Sequence, residues 1–98
     1  MPAYVIAYTE VTNPEPFGRY APQAAAVTAS FGGRYLWAGP GSEVLEGEFP
    51  GNGHAIIEFP TREDALRWYN SPEYGELIPL RQAAGPSALV LTPQADAG

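Results

Sequence analysis

The strongest constraint on this chain is a set of strand-like segments that are apolar on both sides. Tyr4 to Val11 (YVIAYTEV), Arg34 to Ala38 (RYLWA), His54 to Phe59 (HAIIEF) and Ser87 to Thr92 (SALVLT) carry the β-branched and aromatic residues typical of strands. Side chains alternate along a strand. One face therefore takes Val5, Ala7, Ala55, Ile57 and Phe59, and the other takes Tyr4, Ile6, Tyr8, His54, Ile56 and Glu58. The last strand sets Leu89 and Leu91 against Val90. In the second strand Tyr35 and Trp37 fall on one side, Arg34 and Leu36 on the other, and the period alone leaves open which joins which. A half-solvated antiparallel sheet alternates apolar with charged residues, and this one does not.

The segments between the strands read as helices. Asn13-Pro14-Glu15 is a helix start, with Asn as N-cap, Pro in the first turn and Glu near the positive end of the dipole. Phe17, Tyr20, Ala24, Val27 and Phe31 then form one apolar stripe, with Pro22 expected to kink it or loosen a turn. Gly32-Gly33 ends it, Gly32 taking the left-handed cap. After Gly39-Pro40-Gly41, a structureless run to Gly53 would be long for a compact domain. Glu43 to Glu46 (EVLE) is therefore expected to continue the second strand beyond a bulge, with the turn at Phe49 to Gly53. Thr61 and Asp64 have capping-box spacing ahead of Ala65, Leu66, Trp68 and Tyr69. Ser71-Pro72-Glu73 restarts that helix, with Ser71 as its N-cap, and Pro79 is expected to break it again before Gly85-Pro86 closes it.

The order β-α-β, β-α-β in halves of similar length predicts an α+β fold: a ferredoxin-like βαββαβ sandwich with a four-stranded antiparallel sheet. The domain is expected over residues 1–92, with 93–98 as a frayed tail. Two short helices shelter only one face of such a sheet. The other, bare, would be a larger apolar patch than monomers usually expose. A second copy packed through the sheet faces, giving a homodimeric α/β barrel, resolves this. The competing expectation is a monomer whose second face is covered by the segment from Gly39 to Gly53.

Composition narrows the partners. The 98 residues carry eleven acids and five bases, all of the bases arginine, for a net charge of −6. No basic cluster exists to recognise nucleic acid or an anionic membrane. The absence of cysteine removes disulfides and thiolate ligands, and a single histidine removes multi-histidine metal sites. No apolar run is long enough to span a bilayer and the first base is Arg19, so a cytoplasmic location is expected.

Several stretches together resemble a known family: YVIAYTEVTNPEPFGRY, FGGRYLWAG, EVLEGEFP, IIEFPTREDALRWYNSPEY and the L-x-x-L-R-Q-A-A run from Leu77 to Ala84. They resemble the bacterial family called domain of unknown function 1330, from about Ala3 to Leu91. The most specific pieces are Gly-Gly-Arg-Tyr after the first helix and the segment from Glu58 to Tyr74. The resemblance implies the dimeric α/β-barrel superfamily, ferredoxin-like protomers paired through their sheets. That superfamily holds cofactor-free monooxygenases, isomerases, dehalogenases, haem proteins and binders, so no single activity comes with it.

Eight residues are candidates for chemistry. His54 is the only imidazole, the side-chain type that exchanges protons near neutrality, and Glu58 is a carboxylate in an apolar strand. These two are the candidate proton-moving groups; a strand-edge histidine and a structural ion pair are their plainer roles. Arg34 and Arg81 are the expected partners of Glu58 or anchors for an organic acid. Tyr20, Trp68, Tyr69 and Tyr74 have helical spacing typical of core, yet their polar tips need partners and would suit a pocket for a flat molecule. The glycine pairs match no phosphate loop, and no nucleophile elbow is present. The function expected is binding or transforming a small hydrophobic or aromatic, acid-bearing molecule without a metal or other cofactor, by isomerase, cyclase or monooxygenase-like chemistry. The alternative is a non-catalytic homodimeric binding or interaction module.

Overall fold

A computed structural model describes residues 1–93. The tail expected over 93–98 lies, apart from Pro93, outside the described residues. The elements are β1 (Ala3–Thr9), α1 (Pro14–Ser30), β2 (Arg34–Gly39), β3 (Gly53–Phe59), α2 (Arg62–Tyr69), α3 (Pro72–Gly75), α4 (Ile78–Ala84) and β4 (Ser87–Leu91). The strands form one antiparallel sheet in the order β2-β3-β1-β4. This is the ferredoxin-like α+β arrangement. No helix among the described residues is long and apolar enough to cross a membrane.

The period-two division fits the burial along β1 and β3. Ala3 and Val5 of β1 are buried with Ile57 and Phe59 of β3 on the face that packs against the helices. Ala24, Ala65, Trp68, Tyr74 and Leu77 complete that core. The opposite face leaves Ile6, Ile56 and Val90 exposed. In β2 a register shift between Tyr35 and Trp37 settles what the period left open. Tyr35 pairs with Ile57 and packs on the core, whereas Trp37 pairs with Ile56 of the outer face. The extra residue of a bulge reverses the alternation, so Tyr35 and Trp37 do not share a side as their spacing predicts.

The bulge therefore lies within β2, and Glu43 to Glu46 do not extend the strand. Residues 40–52 form a loop without helix or strand, and Val44, Leu45 and Phe49 in it are exposed. This loop does not bury the outer face, where Ile56 is still 39% exposed and Trp37 51% exposed. The helix breaks ahead of Pro79, as expected: α3 ends at Gly75 and α4 begins at Ile78, with Pro79 in its first turn, where a missing N–H leaves no intrahelical bond unmade. Pro22 stays inside α1, which runs as one element across it.

The caps are partly as expected. Gly32 has φ of 84°, and the Gly33 N–H bonds back to the Thr28 carbonyl at 3.0 Å. Asn13 takes the N-cap position with extended backbone, but its side chain makes no capping bond. The Thr61 hydroxyl accepts the Asp64 N–H at 3.1 Å and donates to the Asp64 carboxylate at 2.9 Å. The shorter aspartate thus binds the cap side chain, whereas the glutamate of a capping box bonds the cap backbone. Thr61→Ala is expected to cost about 1 kcal/mol, measured as a lower urea midpoint with an unchanged slope.

Candidate functional site: a cavity between α1 and the sheet

The helices do not fill the inner face completely. A cavity of about 570 Å³ lies between α1 and the sheet, within the size range of small-molecule sites. Its room comes from short side chains: Ala21, Ala24 and Ala25 of α1 face Ala7 and Ala55 of β1 and β3. Larger residues in those places would fill it. Trp68, Tyr74, Tyr20 and Arg81 also line it and bring polar side-chain atoms to it.

Local sequence builds that polar cluster. Ser71 caps α3, its hydroxyl accepting the Tyr74 N–H at 3.1 Å and donating to the Trp68 carbonyl at 2.7 Å. The turn stacks Tyr74 on Trp68, with ring centroids 4.3 Å apart. In α4, Arg81 shares a face with Leu77 and Ala84, four residues before and three after it, and all three are buried. That spacing carries a guanidinium into the interior, where it is only 8% exposed. Arg81 Nε donates to Ser87 Oγ at 3.1 Å, and Nη1 donates to the Tyr74 hydroxyl at 2.8 Å. Tyr74 and Tyr20 hydroxyls are 2.7 Å apart.

The hydrogen bonding has a definite bias. A guanidinium only donates. The two phenols hold two protons and share one hydrogen bond, so one hydroxyl proton is left without an acceptor among the described residues. Trp68, 1% exposed, has an indole N–H that is buried with no partner. None of the ion pairs found includes Arg81. The polar end is thus rich in donors and carries a positive charge. Burial, followed by the neighbouring Tyr74, pushes the Tyr20 phenol far above its ordinary pKa, and burial raises Tyr35 as well. Tyr20 is therefore a neutral donor at physiological pH, not a base.

The other sequence candidates are placed differently. Arg34 and Glu58 pair with each other across β2 and β3 at 3.0 Å, and neither lines the cavity. Their side chains are 72% and 27% exposed, so the pair is worth at most about 1 kcal/mol. Tyr69 packs on Trp68 and borders a second cavity of about 470 Å³ beside β4, which Trp68 and Arg81 also line. His54 borders the first cavity from the β3 end. Its Nε2 is 2.8 Å from the Pro50 carbonyl, its ring is edge-on to Phe49, and its Nδ1 is buried without a partner. A carbonyl only accepts, so Nε2 carries the proton. Sequence reasoning missed Tyr35, Ser87 and the alanine wall of α1; the run Ala24-Ala25-Ala26 was the available signal for that wall.

A family model described as "Domain of unknown function (DUF1330)" matches residues 2–95. The chain belongs to the DUF1330 family. No curated protein matches this DUF1330 chain. Among solved structures it is similar to RPA0582 from Rhodopseudomonas palustris, a protein of unknown function. That match has a TM-score of 0.74 at 21% identity, covering 97% of this chain and 83% of the other. Rv0793 from Mycobacterium tuberculosis matches with a TM-score of 0.63 at 17% identity over the whole of both chains. SnoaB from Streptomyces nogalater, described as a cofactor-independent oxygenase, matches with a TM-score of 0.62 at 16% identity. It covers 98% of the DUF1330 chain and 94% of its own. These likenesses establish a shared fold.

Proposed function

We propose that this DUF1330 protein binds, and acts on, a small hydrophobic or aromatic molecule bearing an acidic oxygen, using side chains and no metal. The observation that carries this is the cavity: apolar walls of alanine and aromatic rings, with a buried cluster of Tyr20, Tyr74, Arg81 and Trp68. Flat ligands gain dispersion and burial against such walls, while a few polar groups fix their orientation. The description of SnoaB as a cofactor-independent oxygenase on the same fold supports metal-free chemistry as a class. In this reading Tyr20, Tyr74 and Arg81 orient the ligand, and His54 is the candidate proton carrier. Arg34 and Glu58 hold the outer face of the sheet.

Titration with 2-naphthol by calorimetry tests the cavity. Saturable binding is expected, and Ala25→Phe should weaken it at least about tenfold, because the added ring occupies the space. Ala25 is exposed on α1, so the fold should remain intact by circular dichroism. Absence of binding to the parent protein, or equal binding by Ala25→Phe, would overturn the reading. Binding without turnover of any enolisable or hydroxylated aromatic tried would favour the non-catalytic alternative.

The functional unit in this proposal is a homodimer. The outer face presents Ile6, Ile56, Val90, Leu36 and Trp37, all exposed, and nothing among the described residues buries them. A second copy of the same face is self-complementary about a two-fold axis.

A further inference from the structure

The least explained group in the interior is the Arg81 guanidinium. Burial of an uncompensated charge is costly, and buried bases normally meet an acid. Among the described residues Arg81 does not: its hydrogen bonds go to neutral hydroxyls, those of Ser87 and Tyr74. The ion pairs found involve Arg19 with Glu15, Arg34 with Glu58, and Arg67 with Asp64. None of the described residues lining the cavity is an aspartate or a glutamate. The unused hydroxyl proton of the Tyr20–Tyr74 pair and the unpartnered Trp68 N–H add donors beside the same cavity.

We infer that the cavity binds its ligand as a single-oxygen anion, the phenolate or enolate of a weakly acidic aromatic or enolisable ketone, with Arg81 as the buried counter-charge. This rests on the cavity being a ligand site. The charge calls for an anion, and the geometry selects its kind. Carboxylates are held best by the two parallel donors of a guanidinium fork. In Arg81, Nε is committed to Ser87 and Nη1 to Tyr74, so each of the two forks that Nη2 makes with them already has one member engaged. The remaining phenol proton beside that charge is a single donor suited to one oxygen. With Tyr74 donating to Tyr20, that proton is Tyr20's, and the raised pKa keeps it on the phenol while the ligand loses its own. In the ionisation, the ligand O–H bond breaks, its proton passes to solvent and the oxygen keeps the electron pair. No oxidant or reductant is required.

The test is a spectrophotometric pH titration of 4-nitrophenol with and without excess protein. Its apparent pKa is expected to fall by about one pH unit or more on binding, as for an acid set near an opposite charge. Arg81→Met should abolish the fall, and Arg81→Lys should restore part of it. Tyr20→Phe, which removes only a hydroxyl at a half-buried position, should diminish the fall and serves if Arg81→Met does not fold. 4-Nitrobenzoate should bind at least about tenfold more weakly than 4-nitrophenolate. An unmoved or raised pKa for bound 4-nitrophenol, or equal or tighter binding of 4-nitrobenzoate, would overturn the inference while leaving the cavity as a ligand site. A retained fall in folded Arg81→Met would remove Arg81 as its cause. Failure of both 2-naphthol and 4-nitrophenol to bind would instead remove the ligand site itself.

Discussion

Gly85→Ala is expected to be among the most damaging single substitutions in this protein, lowering stability by about 3 kcal/mol or more. Gly85 joins α4 to β4 with φ of 147°, a conformation that residues with a Cβ rarely adopt. Space is an even harder limit. A Cβ there would lie 1.9 Å from the Glu10 carbonyl oxygen. Neither side can retreat easily, because the backbone around this corner is tied together. Glu10 N–H bonds to Pro86 O at 2.7 Å, and the N–H groups of Thr12 and Asn13 both bond to Ala84 O. Relief of the clash would break the link between the end of β1 and the start of β4. Small domains have only about 5–15 kcal/mol to lose, so a substantial part of the folding free energy would go. Urea denaturation followed by circular dichroism measures this. Gly41→Ala is the control: its φ is 100° but no atom lies within 4 Å of the added Cβ, so only the local strain of about 1–2 kcal/mol remains. Equal effects of the two substitutions would show that conformation, not packing at the Glu10 corner, governs both.

Ile56→Asp is expected to convert the proposed dimer to a monomer without unfolding the protomer. Ile56 lies in β3 between Ile6 of β1 and Trp37 of β2, near the centre of the outer face. It is 39% exposed in the single chain, so a carboxylate there stays in contact with water when the protein is monomeric. In a two-fold interface each copy would bury one such charge without a partner. At about 2 kcal/mol for each copy, association should weaken by roughly a thousandfold, since every 1.4 kcal/mol is a factor of ten. Sedimentation velocity at micromolar concentration reads the result. A parent protein that sediments as a monomer would remove the dimer from the proposal, and a dimer unaffected by Ile56→Asp would move the interface elsewhere.

Much of the architecture was legible because it rests on short-range rules. Alternation separated Val5, Ala7, Ile57 and Phe59 from Ile6, Ile56 and Tyr8, and steric preference put proline and glycine at element ends. Errors came where those local rules met pairing or packing. Tyr35 and Trp37 are two apart, yet a bulge that exists only against β3 sends them to different environments. Glu43 to Glu46 had strand-like composition, but no strand among the described residues pairs with them.

For the candidate site, the sequence supplied the residue types but not their company. Trp68, Tyr74 and Arg81 are close along the chain, but Tyr20 is remote and meets them only because α1 packs beside α3 and α4. Glu58 was expected to meet Arg34 or Arg81; antiparallel register gives it Arg34 and keeps it out of the cavity.

The sequence by itself determined the four paired strands, the helices between them, their order, and that both faces of the sheet are apolar. These follow from periodicity and backbone sterics, which act over a few residues. Only the tertiary structure decided where the bulge falls, that an arginine is buried without an acid, and that a wall of alanines leaves room beside it. Those outcomes depend on distances between residues remote in sequence, and such distances exist only once the chain has packed.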